Sequence, residues 1–135
     1  MYEPIRRLFE AYAEAFDKLD FKKQAEFFAD DFMMTGPKGV TSQSKQEFLA
    51  SAEKAVAFYK NAGQTSVKMI AIDVTPLNNE YVIAKTHWGV TFEKTGDKMV
   101  EFDMSYIVHE TLPEPKIILA IAHQDEDEAM KGLQQ

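Results

Sequence analysis

The 135-residue sequence contains no cysteine, few basic residues and no long apolar run. Without cysteine the chain forms no disulfide, no thiolate zinc site and no cysteine nucleophile. Its 15 Lys and Arg stand against 22 Asp and Glu, so the net charge is -7 and the basic footprint required by nucleic acids or anionic membranes is missing. No stretch approaches the ~18 apolar residues that span a bilayer, and the N-terminus lacks an export-signal pattern. We therefore expect a cytoplasmic protein that binds neither nucleic acid nor membrane.

Large apolar side chains, by contrast, are abundant. The chain has 10 Phe, 5 Tyr, 1 Trp and 7 Met, which is more bulk than a minimal core requires. The length fits one domain covering residues 1–135, and a chain that is 45% hydrophobic and 27% charged is typical of globular proteins. The surplus of rings makes these residues candidates for the wall of a binding cavity.

The first third of the sequence predicts three helices, and the remainder predicts strands. Apolar residues recur at helical spacing in residues 5–19, and Asp20 caps a second, shorter helix through Phe28. Residues 33–41 contain two glycines and a proline and predict a loop. Ser44 and Glu47 form a capping box, which begins a third helix that ends at residues 61–63.

Four strands are predicted in residues 67–74, 81–93, 100–109 and 117–123, and a short helix is predicted to begin at Asp125. This order indicates an α+β fold in which three N-terminal helices pack on a curved, mainly antiparallel four-stranded meander. Such a cone offers a cavity at its open end.

Strand alternation predicts which side chains face that cavity. The inward positions of the strands, together with apolar residues of the first third, form the predicted ligand pocket: Tyr12, Phe16, Phe28, Phe32, Met34, Tyr59, Trp88, Phe102, Met104, Tyr106 and Gln124. Such a pocket would hold a small apolar ligand. A filled core of the same residues is the alternative.

The outward positions carry a different set of residues. Ile117, Leu119 and Ile121 form an apolar stripe, which favours a homodimer through this outer sheet face. His87, His109 and His123 share the outward parity, so we interpret them as sheet-face residues and not as metal ligands or a general base. We expect no metal and no organic cofactor. A β-bulge would invert these assignments.

The sequence also resembles the nuclear transport factor 2-like superfamily, which includes SnoaL-like polyketide cyclases and ketosteroid isomerases. The resemblance covers almost the whole chain and is strongest in residues 12–20 (YAEAFDKLD) and 29–32 (ADDF); residues 122–126 (AHQDE) are similar to the ending of uncharacterised SnoaL-like proteins. It implies a cone-shaped fold with an apolar cavity, often dimeric through the sheet.

The ketosteroid isomerase resemblance supplies three weak catalytic candidates. Tyr12 matches the oxyanion-hole tyrosine, and Tyr106 aligns near the buried acid, with Asp103 there only if the register slips. The position of the catalytic base is Gly36, which cannot accept a proton. The sequence therefore favours a non-catalytic, dimeric, SnoaL-like binding protein. The alternative is a cofactor-independent isomerase, dehydratase or cyclase that acts on a small apolar substrate by proton transfer, with Tyr12 and Tyr106 as hydrogen-bond donors.

Overall fold

The computed structural model describes residues 3–37, 39–93, 99–110 and 114–123. Its helices are α1 (Glu3–Asp17), α2 (Phe21–Ala25) and α3 (Lys45–Asn61). Its strands are β1 (Phe28–Gly36), β2 (Gly39–Ser44), β3 (Gln64–Pro76), β4 (Tyr81–Phe92), β5 (Met99–His109) and β6 (Lys116–Ala122). The helices pack against one curved sheet, which confirms the predicted α+β cone. In the described part of the chain, no helix is long and apolar enough to cross a membrane.

The sheet has six strands in the order β2-β1-β6-β5-β4-β3. Strands β3 to β6 form the predicted antiparallel meander. Strand β1 pairs in parallel with β6 and antiparallel with β2, so two N-terminal strands extend the meander. The predicted number of four strands is therefore wrong.

The error lies in residues 26–44. The second helix ends at Ala25 instead of continuing through Phe28, and most of the predicted loop belongs to the β1–β2 hairpin. Phe28, Phe32 and Met34 are separated by even numbers of residues. A spacing of four fits both a helix face and one side of a strand, so the pattern did not discriminate between them. Pairing with β6 and β2 settles the conformation as strand.

The predicted helix starts are confirmed. The Glu47 backbone N–H donates to the Ser44 hydroxyl at 3.1 Å, and the Ser44 N–H donates to the Glu47 carboxylate at 3.3 Å. At α2, the Lys23 N–H donates to the Asp20 carboxylate at 3.1 Å. Helix α3 is followed by Gly63 at a φ of 79°, a conformation that favours glycine.

Strand alternation is correct along β4 and fails at the start of β6. In β4 the whole predicted inward set is buried: Val82, Ala84, Thr86, Trp88, Val90 and Phe92. Ile117 was predicted to face outward but is fully buried and pairs with Val108. A register shift follows, so that Leu119 pairs with Ile107 and the predicted parity holds only from Leu119 onward. The helix predicted from Asp125 lies outside the described residues.

Candidate functional site

A cavity of about 200 Å³ lies between the helices and the inner face of the sheet. Nine of the predicted pocket residues line it: Tyr12, Phe16, Phe28, Met34, Tyr59, Trp88, Phe102, Met104 and Tyr106. These residues come from both the helices and the sheet: at least one lies on each of α1, α3, β1, β4 and β5. The fold therefore brings together residues that are up to 94 positions apart in the chain.

Two predicted pocket residues stand elsewhere. Phe32 is buried next to the cavity but is not part of its lining, and its ring packs on Phe28 with centroids 4.4 Å apart. It thus supports the wall from behind. Gln124 lies outside the described residues.

Six lining residues were missing from the predicted pocket: Phe21, Gln24, Phe48, Ser51, Ala52 and Ala55. Four of these six residues, Phe48, Ser51, Ala52 and Ala55, belong to α3. On that helix Phe48, Ala52 and Ala55 recur at helical spacing with Tyr59, which the prediction did include. That stripe was the available signal, since it marks the helix face turned towards the sheet. Gln24 gave no such signal, because glutamine is mostly an exposed residue.

The walls of the cavity are held by ring-to-ring packing. Tyr12 lies edge-on to Tyr106 with centroids 5.6 Å apart and packs at 5.9 Å from Trp88. Phe16 bridges to α3 through an edge contact with Tyr59 at 5.4 Å. Tilted and edge-to-face pairs at these distances are favourable geometries for aromatic side chains. The rings therefore hold one another in place around the cavity.

Few polar atoms interrupt this apolar wall. The Tyr106 hydroxyl donates to the Tyr12 hydroxyl at 3.5 Å, which is long for a hydrogen bond between hydroxyl groups. The Trp88 indole N–H donates to the Thr86 hydroxyl at 2.6 Å, and that hydroxyl donates to the Met104 carbonyl at 2.9 Å. The indole N–H is thus engaged within the protein.

Gln24 is the polar residue that stands out in the lining. It is only 4% exposed, and its side-chain amide makes no hydrogen bond with another described residue. The amide therefore offers unused hydrogen-bonding capacity at the edge of an aromatic cavity.

Ionisable groups other than the tyrosines are absent from the described lining, which contains no Asp, Glu, His, Lys or Arg. Asp103, the candidate acid in a slipped register, lies on the outer face opposite His87 and is hydrogen-bonded to it. The register slip on which this candidate depended does not occur, because β4 and β5 pair without a shift from Tyr81 to Thr91, so Asp103 keeps the outward parity that the sequence predicts. Tyr12 and Tyr106 do line the cavity.

The three histidines lie on the outer face, as predicted. His87 is hydrogen-bonded through Nδ1 to Asp103 at 2.7 Å and through Nε2 to Glu101 at 2.8 Å. The hydrogen bond with Asp103, followed by that with Glu101, raises the pKa of His87 above its usual value of 6.5. His123 contacts the Ser105 hydroxyl at 2.7 Å. Among the described residues, no three His, Cys, Asp or Glu side chains are placed to hold a metal ion.

Solved structures with the same fold come from several bacteria. An NTF2-like protein with a cystatin-like fold from Novosphingobium aromaticivorans is 17% identical, with a TM-score of 0.74 over 98% of this chain and 88% of that one. A protein of unknown function from Nostoc punctiforme is 17% identical, with a TM-score of 0.68 over 90% and 88%. The beta subunit of benzoate 1,2-dioxygenase from Burkholderia mallei is 9% identical, with a TM-score of 0.67 over 92% and 90%.

At these identities the structural likeness shows the fold alone. None of the curated proteins compared with the chain matches it. The family described as NTF2-like protein (DUF6841) matches residues 2–125, which is nearly the whole chain. The protein therefore belongs to the NTF2-like (DUF6841) family.

Proposed function

We propose that this chain binds a small, mostly apolar molecule in the cavity and acts as a non-catalytic binding protein. The observation that carries the proposal is the cavity of about 200 Å³ surrounded by aromatic rings. Small-molecule sites are concave and lined mostly by hydrophobic and aromatic side chains with a few polar groups, and the described lining has this composition. An engineered apolar cavity of about 150 Å³ binds benzene, which sets the expected ligand size at about one ring.

The composition of the lining favours binding over catalysis. A positioned general base contributes roughly 10²–10⁴-fold to proton transfer. No carboxylate or imidazole belongs to the described lining, and glycine occupies position 36, where the ketosteroid isomerase resemblance implies the base. The described lining therefore has groups that bind and orient a ligand but contains no strong proton acceptor.

Titration with toluene, phenol and benzamide tests the binding function. Trp88 is the single tryptophan of the chain and lines the cavity, so its fluorescence reports occupancy directly. We expect at least one probe to change this fluorescence and to raise Tm, because a ligand at about 100 times its Kd stabilises by about 2.7 kcal/mol.

Two leucine substitutions on α3 provide the matched comparison. Ala52 lines the cavity, whereas Ala57 on the same helix is exposed. Ala52→Leu fills part of the space and should weaken binding about tenfold or more, since overpacking and ligand exclusion act together. Ala57→Leu should bind like the original chain. Equal probe binding by both variants would place the ligand elsewhere and contradict the proposal.

The adjacent hydroxyls of Tyr12 and Tyr106 favour a second candidate, an isomerase, dehydratase or cyclase working by proton transfer. Both hydroxyls could donate to the oxygen of a developing enolate. Deuterium exchange at the α-carbon of cyclohexanone, followed by NMR, tests this candidate. An enzyme of this type accelerates the exchange over buffer, and Tyr12→Phe or Tyr106→Phe reduces the acceleration. Exchange at the buffer rate supports the binding protein instead.

We also propose that two copies associate through the outer sheet face. Met33, Leu119, Ile107 and Ile83 are successive register partners across β1, β6, β5 and β4, so they form one apolar row across four strands. Met33 is 41% exposed in the single chain. A continuous apolar row on a sheet surface favours burial against a partner, and a second copy presents the same row. Sedimentation equilibrium of the chain tests this proposal.

A further inference from the structure

We propose that the cavity selects an uncharged, ring-sized ligand that carries one hydrogen-bonding polar group, and that the Gln24 amide recognises this group. The inference rests on the proposed binding function and adds the chemical class of the ligand. It also assigns a specificity-determining role to a residue on α2.

Helix α2 holds Gln24 firmly at the cavity. The helix is capped by Asp20, and its residues Phe21 and Ala25 are buried on either side of Gln24. Gln24 shares that buried side and belongs to the cavity lining, which places its side chain within reach of a ligand there. An amide both donates and accepts hydrogen bonds, so it can pair with a carbonyl, a hydroxyl or another amide.

The lining disfavours an anionic ligand. No Lys, Arg or His belongs to its described residues, and the whole chain has a net charge of -7. A carboxylate that entered the cavity would lose its hydration without gaining a cationic partner. A neutral polar group loses less hydration, and one amide compensates for much of that loss.

A cationic ligand is disfavoured because the described lining also contains no Asp or Glu. A cation that entered the cavity would lose its hydration without gaining an anionic partner. The face of an aromatic ring attracts cations, so a cationic probe measures whether the rings alone compensate for that loss.

The test compares four probes of similar size: benzamide, benzoate, benzylammonium and toluene. Isothermal titration calorimetry and Trp88 fluorescence measure Kd for each. We expect benzamide to bind at least about tenfold more tightly than either ion, because the described lining contains no charged side chain that would compensate for an ion's lost hydration. Toluene should bind more weakly than benzamide, since it leaves the Gln24 amide unpaired.

Gln24→Leu and Gln24→Met remove the amide and preserve most of the side-chain volume. Both should weaken benzamide binding by about tenfold and leave toluene binding unchanged, which separates recognition of the polar group from cavity shape. Lys22→Met is the matched control. Lys22 lies on the same helix but is exposed and does not belong to the described cavity lining, so neither Kd should change. Circular dichroism and Tm establish that each variant folds, and the methionine variant provides the same test if the leucine variant does not.

The possible failures are distinguishable. Benzoate or benzylammonium binding as tightly as benzamide, or an unchanged ratio of benzamide to toluene affinity in both Gln24 variants, overturns the inference. In either case the proposed function as a small-molecule-binding protein would still stand, because at least one probe binds in the cavity. If no probe binds, toluene included, both the inference and the proposed function fail.

Discussion

The inner and outer faces of the sheet differ in chemistry, although they alternate residue by residue along the same strands. The inner face supplies Trp88 and Tyr106 to a cavity whose described lining contains no ionisable group except tyrosine. The outer face carries His87 between Asp103 and Glu101, and it also carries the apolar row that crosses β4 and β5 at Ile83 and Ile107. A single register therefore decides which residues face the cavity and which face the outer side, where we propose that a second copy binds.

The largest expected effect is a difference in the free energy of unfolding between substitutions at Trp88 and at Lys85, which lie on opposite faces of β4. Trp88→Ala should lower the free energy of unfolding by about 3–5 kcal/mol, because it opens a cavity in the core and leaves the Thr86 hydroxyl without the indole donor. Lys85 lies three positions away, is exposed and points to the outer face. Lys85→Ala should change stability by at most about 0.5 kcal/mol. Urea unfolding measures both, and similar losses would show that the two faces do not differ in burial.

The sequence predicts the alternation of inward and outward side chains correctly where two strands pair without a register shift. Strands β4 and β5 pair without a register shift from Tyr81 to Thr91, so parity counted along the sequence remained correct. The prediction failed at Ile117, since the shift between Ile107 and Val108 inverts the side that it faces. A bulge depends on the pairing of two strands and leaves no clear pattern in one of them.

Prediction of the candidate site from the sequence is limited in the same way, because it succeeds only where local periodicity decides which residues are buried. Large apolar residues such as Phe16 and Tyr59 could be assigned to the cavity, because their periodicity marks the buried face of each element. Gln24 could not be assigned, since burial of its amide depends on the packing of α2 between α1 and α3. The hairpin containing Met34 was also missed, as its even spacing fits two secondary structures and long-range pairing decides between them.

The next prediction concerns the apolar row of the outer face. Ile107→Lys should weaken the proposed dimer by about 2 kcal/mol, or roughly 30-fold in Kd, because it places a charge at the centre of the row. Probe binding in the cavity should be unaffected, since Ile107 faces away from it. Sedimentation equilibrium gives the dissociation constant. Ala57→Lys, a substitution at an exposed position of α3, is the control and should leave association unchanged.

Two outcomes would contradict this prediction. If sedimentation equilibrium shows that the original chain is a monomer, the proposed dimer is wrong. An unchanged dissociation constant in Ile107→Lys shows that the copies associate through another surface. Loss of toluene or benzamide binding in the folded Ile107→Lys variant would instead show that the two faces are coupled.

The smallest expected effect is a pH dependence confined to the outer face. Asp103 and Glu101 favour the protonated form of His87 and raise its pKa above 6.5. The folded chain therefore binds this proton more tightly than the unfolded chain, so the stabilisation is complete below the unfolded pKa of about 6.5. It is lost as the pH rises through the higher folded pKa. The stability difference between the original chain and His87→Gln should shrink over that interval.

NMR titration of the His87 ring measures the cause directly. The midpoint should lie above 6.5 in the original chain and fall in Asp103→Asn, because the carboxylate that accepts the Nδ1 hydrogen bond loses its charge. Glu101→Gln should lower it less, whereas Glu53→Gln, on the exposed surface of α3, should not move it. A midpoint at or below 6.5 in the original chain would contradict the prediction. Since the described residues of the cavity lining include no His, Asp or Glu, binding of toluene in the cavity should remain constant across the same pH interval.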